Sequence, residues 1–397
     1  MPVAMTSKER VLSAIRSEDV DHVPNGFRFW RAPRHEMAGW TSERERLATY
    51  REWGWDAFVT VGGYIPPGAD VEVDLRRESV DGQTVIDQTW RTPSGTIRER
   101  LKVTADWPAV QEDRPFVSLQ DSFRTSRYVE MPFKGPEDVD AFQYLFPIGD
   151  PRQEDKLVQS HRAARELADE FDVPLFANVF SGLNAHLYHY TAEEAVAVVL
   201  EQPGMARRMV DHLDAAYSSR AELLLDLGIE GVIRSGWFES MDLWSPKIYR
   251  EYARPAIEDL TRKVHQAGGV VVYLMDTGIV GLLPDLKEMA FDCLHGADPS
   301  LPTDGLELKH LRDSLPGKSV WGGLSGPEHF VQCTPEETAG AVENALGNLG
   351  RRGLILGIAV GIRDYYRREN IEACDRTWRR LRACAQMGIS SQLSSDP

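Results

Sequence analysis

The stretch VVVYLMDTGIVGLL (270–283) shows the pattern that recurs along this chain, an apolar and mostly β-branched run broken by a few polar residues. Short apolar runs of this kind predict strands buried on both faces, as in a parallel sheet. They fall at Asn25–Trp30, Asp56–Gly62, Pro174–Val179, Gly231–Ser235, Val270–Leu274, Asp292–Gly296, Ser319–Gly323 and Leu354–Ile358. Amphipathic stretches at 41–53, 191–226, 246–267, 279–289, 305–313, 334–350 and 368–388 follow most of them and predict helices. Starts such as Ser245-Pro246 and Thr334-Pro335-Glu336-Glu337 carry residues that cap and open helices. Eight such strands separated by helices predict an α/β fold, a (β/α)8 TIM barrel, although a doubly wound sheet gives the same local pattern.

Residues 71–103 break the alternation. They read with period two on both sides of Thr92-Pro93-Ser94-Gly95, which predicts a β-hairpin inserted between the second and third barrel strands. No linker or repeat divides the chain, so one domain is expected over 1–389, with a disordered tail at 390–397.

Charge narrows the range of partners. A formal net charge of −16 repels phosphate backbones and anionic lipid, so neither nucleic acid nor a membrane surface is an expected partner. No apolar run approaches the ~20 residues that cross a bilayer. The N-terminal MPVAMTSKERVLSAIRSEDVDHVP reads as an amphipathic helix rather than a signal peptide. Cys293, Cys333, Cys374 and Cys384 form no CxxC pair, which points to a reducing cytoplasm. A homodimer is the default assembly for a soluble enzyme.

In such a barrel the loops after the C-terminal strand ends build the active site. That rule gathers Arg28, Arg31, Arg34 and His35 from the first strand and Tyr64 from the second. It adds Asn178, His186, Tyr188 and His189 from the third, and Ser235, Trp237 and Glu239 from the fourth. Asp276, His295, Asp298, Ser325 and Arg363 follow from the later strands. In FRFWRAPRH, three arginines around Trp30 suit bidentate capture of a carboxylate, although any one of them can equally be a surface residue paired with an acid. His186 and His189 share a helix face and suit a metal, a catalytic role, or plain aromatic packing. For Asp276 three roles compete: helix N-cap, general acid, or metal ligand beside Cys293 and His295. No GxxxxGK[ST], GxSxG or dinucleotide-binding glycine pattern occurs, so ATP, NAD and serine-hydrolase chemistry lack support.

Taken together, MTSKERVLSAIRSEDVDHVP, LWSPKIYREYARPAI, GKSVWGGLSG with TPEET, and GLILGIAVGI with EN resemble the uroporphyrinogen decarboxylase superfamily over nearly the whole chain. This superfamily holds a cofactor-free decarboxylase and corrinoid-linked methyltransferases. The resemblance implies that Arg31-Ala-Pro-Arg34 stands for the carboxylate-binding arginine motif, one residue shorter. Tyr188 stands for its tyrosine and Ser235-Gly236-Trp237 for its Asp-Ser-Trp. The family aspartate falls at Gly63 and its histidine at Val360, which argues against uroporphyrinogen itself as substrate. The methyltransferase zinc motif His-x-Cys-Gly corresponds to Met275-Asp276-Thr277-Gly278, with no cysteine at Gly361, so its usual ligands are missing. WRTPSGTIRERL and MPFKGPEDVDAFQYL nonetheless resemble that branch.

The leading expectation is a decarboxylase-type lyase without cofactor, acting on a carboxylated, aromatic small molecule. Asp276, Tyr188 and His186 are its candidate catalytic residues. Arg28, Arg31, Arg34, Trp30, Tyr64, Asn178, Ser235, Trp237, Glu239 and His295 are candidates for substrate binding. The alternative is a methyltransferase with a corrinoid protein partner and zinc on Glu239, Asp276 and His295.

Overall fold

The computed structural model describes residues 4–29, 39–107, 116–300, 305–358 and 361–387. Trp30, Arg31, Arg34, His35, Val360 and the 390–397 tail lie outside the described residues.

The strands in chain order are β1 (Val59–Gly62), β2 (Glu72–Val80), β3 (Gln83–Thr92), β4 (Gly95–Lys102), β5 (Tyr128–Glu130) and β6 (Leu175–Val179). They continue with β7 (Gly231–Ser235), β8 (Val270–Met275), β9 (Cys293–Gly296), β10 (Ser319–Leu324) and β11 (Leu354–Ile358). Seven of them pair in parallel in the order β1-β6-β7-β8-β9-β10-β11. Every residue of β7 to β11 is buried, which is why these runs lack polar alternation.

The expected first strand forms only isolated parallel bridges, Asn25 with Leu356 and Phe29 with Ile362. It nonetheless ties to both edges of the sheet. Gly26 N–H donates to the Leu356 carbonyl (2.9 Å), and Asp56 N–H donates to the Asn25 carbonyl (3.2 Å). This order and closure are in line with a (β/α)8 barrel. Gly26 is required where it stands, because a Cβ there would meet Trp321 Nε1 at 2.3 Å. Helix Ser7–Ile15 packs Val11, Leu12 and Ile15 onto Phe58, Phe176, Ile233, Val272, Trp321 and Ile355, a core separate from the larger one.

Strands β2 to β5 form a second, antiparallel sheet that lies between β1 and β6 in sequence. The expected hairpin is therefore a three-stranded meander joined by a fourth short strand. The Thr92–Gly95 turn is present, with those residues paired across β3 and β4. The other turn is Asp81-Gly82, with φ of 51° and 79°, the left-handed pair of a type I′ hairpin. The stretch expected to be one helix over 191–226 is two, Ala192–Glu201 and Pro203–Asp226. Pro203 has no N–H to continue the first and opens the second. Helix Pro151–Phe171, absent from the expected elements, is capped by the Asp150 carboxylate on the N–H groups of Arg152 and Gln153. Among the described residues no helix is long and apolar enough to cross a membrane.

A buried ion pair fastens the antiparallel sheet to the connector that follows it. Glu99 of β4 pairs with Arg124, and both side chains are fully buried. Gln88 Nε2 (2.6 Å) and Trp90 Nε1 (3.1 Å) also donate to Glu99 Oε1. Arg124 Nε donates to the Tyr128 hydroxyl (3.0 Å), which itself donates to the Tyr188 carbonyl (2.8 Å). The chain of bonds thus runs from β4 to the loop after β6.

Glu99→Ala strands the Arg124 cation in the interior, and the expected loss is about 3–5 kcal/mol in urea unfolding. A wild-type unfolding curve for this variant would show that the pair does not hold the two parts together.

Candidate functional site at the C-terminal ends of the strands

Strand direction decides which side chains meet at the mouth. Inward positions rise from Phe58, Phe176 and Ile233 in the apolar core to Thr60, Asn178, Ser235 and Leu274 above it. These upper residues line a cavity of about 690 Å³, together with Arg28, Phe29, Tyr64, Phe180, Tyr188 and Trp237. A second cavity of about 700 Å³ is lined by Asp276, Arg363, Phe238, Thr125, Arg127, Tyr128 and Glu193. Phe123 and Trp237 line both, so the two spaces share a wall.

Asp276 follows the last residue of β8, where the strand can no longer share its hydrogen bonds with both neighbours. Burial pushes its carboxyl up to about 7, and the neighbouring Asp298 carboxylate adds to the shift, while Arg28 and Arg363 pull the other way. Its Oδ1 is buried without a hydrogen-bond partner among the described residues. The N-cap role expected for it is not what the structure shows. Ile279 stands at the cap of the turn Val280–Leu282, and the helix proper begins at Leu283.

Arg28 reaches the first cavity from the segment that closes the sheet, its guanidinium 6.0 Å from the centre of the Phe58 ring. Among the described residues it makes no ion pair within bonding distance. Burial and the Arg46 and Arg363 cations lower its proton affinity, while Tyr50 and Asp276 raise it. Tyr188 places its hydroxyl 3.3 Å from Asn184 Nδ2. Burial raises that phenol well above its usual range, and the nearby Tyr64 and Asp276 add to the effect. Tyr64, half exposed, packs against Phe180 with ring centres 5.6 Å apart.

Arg28, Tyr64, Asn178, Tyr188, Ser235 and Trp237 therefore share one cavity, with Asp276 across the Trp237 wall. Three expected residues are placed elsewhere. His186 is fully buried with Nε2 on the Ala195 carbonyl (3.3 Å), and burial pushes it down to about 4. A buried neutral imidazole facing a helix carbonyl is a packing group, so the structure corrects its catalytic assignment. Its neighbour His189 lies among the rings of Phe133, Phe142 and Phe146 rather than beside a shared metal position.

Glu239 is also fully engaged. Arg234 grips both oxygens (2.7 and 2.8 Å), Tyr273 donates to Oε2 (2.8 Å), and Asn184 N–H donates to Oε1 (3.3 Å). No lone pair is left convergent for substrate or metal, which corrects its expected binding role. His295 is buried and stacked on Trp321 with ring centres 4.7 Å apart, and burial with the Arg28 charge pushes it down to about 3. Zinc on Glu239, Asp276 and His295 does not fit this arrangement. Among the described residues no group of three His, Cys, Asp or Glu side chains converges as a metal site requires.

Ser118, Asp121 and Phe123 line the first cavity without having been expected there. They come from the connector after the antiparallel sheet, not from a strand end, so the strand-end rule cannot find them. Their only local signal is Asp121, whose carboxylate caps the turn Ser122–Arg124 through Phe123 N–H (2.9 Å) and accepts from Trp107 Nε1 (3.2 Å).

Comparison with known proteins agrees with this geometry at the level of fold. The family model described as uroporphyrinogen decarboxylase (URO-D) matches residues 124–380. A methyltransferase from Methanosarcina mazei is similar in structure with a TM-score of 0.58 and 13% identity, covering 95% of this chain and 99% of that one. A B12-independent methionine synthase from a Shewanella species aligns with a TM-score of 0.39 and 10% identity, covering 93% and 97%. No curated protein matches the sequence.

The raised Asp276 carboxyl has a consequence for stability. The folded state binds its proton more tightly than the unfolded chain, so stability is full below the unfolded value and is lost as pH rises through about 7. Asp276→Asn removes that loss. Its stability gain over wild type in urea is expected to grow between pH ~4 and pH ~8; a gain that stays flat with pH would refute the shift.

Proposed function

The chain belongs to the uroporphyrinogen decarboxylase family, and on that premise we propose that it is a decarboxylase-type carbon–carbon lyase. Its substrate is a carboxylated small molecule with an aromatic body, other than uroporphyrinogen. The observation that carries this reading is the closeness of Arg28 and Asp276 where the two cavities adjoin, a guanidinium electrostatically coupled to a carboxyl that holds a proton near neutral pH.

In this reading Arg28 binds the substrate carboxylate through paired N–H groups. Arg31 and Arg34, which follow it in sequence outside the described residues, remain candidates for further carboxylate binding, and Trp30 for the apolar part of the substrate. Phe58, Phe180, Tyr64 and Trp237 surround the body and strip water from the carboxylate. The carbon–carbon bond to the carboxylate breaks, CO2 leaves, and the electron pair stays on the substrate carbon. Asp276 then gives its proton to that carbon and is reprotonated from solvent. Tyr188 and Asn178, which line the same cavity as Arg28, orient the substrate. This chemistry asks for no metal and no organic cofactor, and the enzyme works as a cytoplasmic homodimer without nucleic-acid or membrane partners.

A second reading, methyl transfer with a corrinoid protein partner, has one supporting observation. The cavity of about 700 Å³ beside the first gives a methyl carrier room to approach Trp237 from outside. Stoichiometric zinc in protein purified without added metal would favour it over the lyase.

The lyase reading is tested with CO2 release from a panel of aromatic carboxylic acids. Arg28→Ala is expected to lower kcat/KM by about 100-fold or more, and Asp276→Asn to lower kcat by about 10²–10⁴-fold. Full turnover by folded Arg28→Ala protein would end the proposal.

A further inference from the structure

The turn that leaves β9 is strained in a way that bears on Asp276. Gly296 has φ of +106° and Ala297 φ of +50°, the latter in the left-handed region that side chains other than glycine rarely adopt. A Cβ at Gly296 would meet the Met275 carbonyl oxygen at 2.2 Å and Asp276 Oδ1 at 2.9 Å. The turn is therefore folded tightly over the end of β8. Two backbone bonds clamp it there, Ala297 N–H to the Met275 carbonyl (2.7 Å) and Asp298 N–H to the Asp276 carbonyl (2.9 Å). Asp298 is buried, and its Oδ1 accepts from Ser300 N–H (3.0 Å), which holds the carboxylate at the turn. Strain of this kind persists where the surrounding structure enforces it, and it concentrates at functional sites.

We propose that Asp298 is a positioning residue: the strained turn Gly296-Ala297-Asp298 presses its carboxylate against Asp276, so that the pair keeps one proton at the cavity mouth for transfer to substrate. Two close carboxylates cannot both ionise cheaply, and such pairs titrate as a unit. The other groups around the pair bear on the same proton. Arg28 and Arg363 face Asp276 and favour its ionised form, while the Tyr188 and Tyr366 hydroxyls lie nearby on other loops. His329 faces Asp298, burial lowers its proton affinity, and Ser325 N–H donates to its Nδ1 (3.0 Å). Asp242 bonds Thr277 beside the site, and His295 below is held neutral by burial. With one proton on the pair and both arginines charged, these four groups sum to a positive charge, which suits an anionic substrate.

The inference rests on the reading of Asp276 as proton donor, but its test does not need turnover. Carbon-13 NMR of the aspartate carboxyls, with Asp276→Asn to assign the signal, follows the Asp276 titration directly. Asp298→Asn and Asp298→Ser both remove the charge and keep an acceptor for Ser300 N–H. Each is expected to lower the Asp276 midpoint by about one unit or more. An Asp276 midpoint unchanged in both variants overturns the proposal. A lowered midpoint with undiminished activity in Asp276→Asn would sustain the pairing and remove the lyase reading instead. Where turnover is measured, the basic limb of the pH–rate profile should move down with the midpoint in both variants, a change that mere loosening of the turn does not produce.

Discussion

A carboxyl group that leaves water beside another carboxylate must find compensating charge or keep its proton, and the mouth of this fold is built around that constraint. Asp276 and Asp298 come from the ends of adjacent strands, and Arg28 and Arg363 come from the segments that close the sheet. Desolvation raises the cost of ionising Asp276, and the two guanidiniums do not fully offset it. The result is a proton held near neutrality next to cations, across the Trp237 wall from the cavity lined by Phe58, Phe180 and Tyr188. Groups of opposite demand packed this closely are expected where chemistry occurs rather than where a fold is merely stabilised.

The supporting structure separates the duties of its charged residues. Glu239 and Arg234 satisfy each other, with Tyr273 and Asn184 completing the pair, so they hold the loop that carries Asn184 and Tyr188. Glu99 and Arg124 do the same for the antiparallel sheet. From there Tyr128 reaches the Tyr188 carbonyl, and the connector supplies Ser118, Asp121 and Phe123 to the cavity. The connector that follows the insertion is thus part of the cavity wall, fastened to the antiparallel sheet by the Glu99–Arg124 pair.

Much of the fold was legible because burial on two faces leaves a plain mark in sequence. The runs at Gly231, Val270, Ser319 and Leu354 sit in the sheet within a residue or so of their expected limits. The segment at Asn25 was harder, since it bonds to both edges through isolated bridges and lacks a continuous ladder. The Asp81-Gly82 turn and the Asp150-Pro151 helix start carried readable signals that the period-two and strand-end patterns overshadowed. At the site, the strand-end rule gathered Arg28, Tyr64, Asn178, Tyr188, Ser235 and Trp237, which the structure brings to one cavity, and Asp276, which lines the adjoining one. It failed for His186 and Glu239 because it tells which end of a strand a residue occupies, not which way the side chain turns or what partner already holds it. Asp121 was invisible to it, since its place at the cavity depends on a long-range fold of the insertion.

The most direct measurement of the central claim is the affinity of a simple aromatic carboxylate, benzoate, determined by calorimetry from about pH 5 to pH 9. If the Asp276 carboxyl and the Arg28 guanidinium share one space, ionised Asp276 competes for the cation and repels the ligand. Binding should then weaken as pH rises through about 7. Affinity that stays constant across that range, while the protein remains folded, would contradict the account.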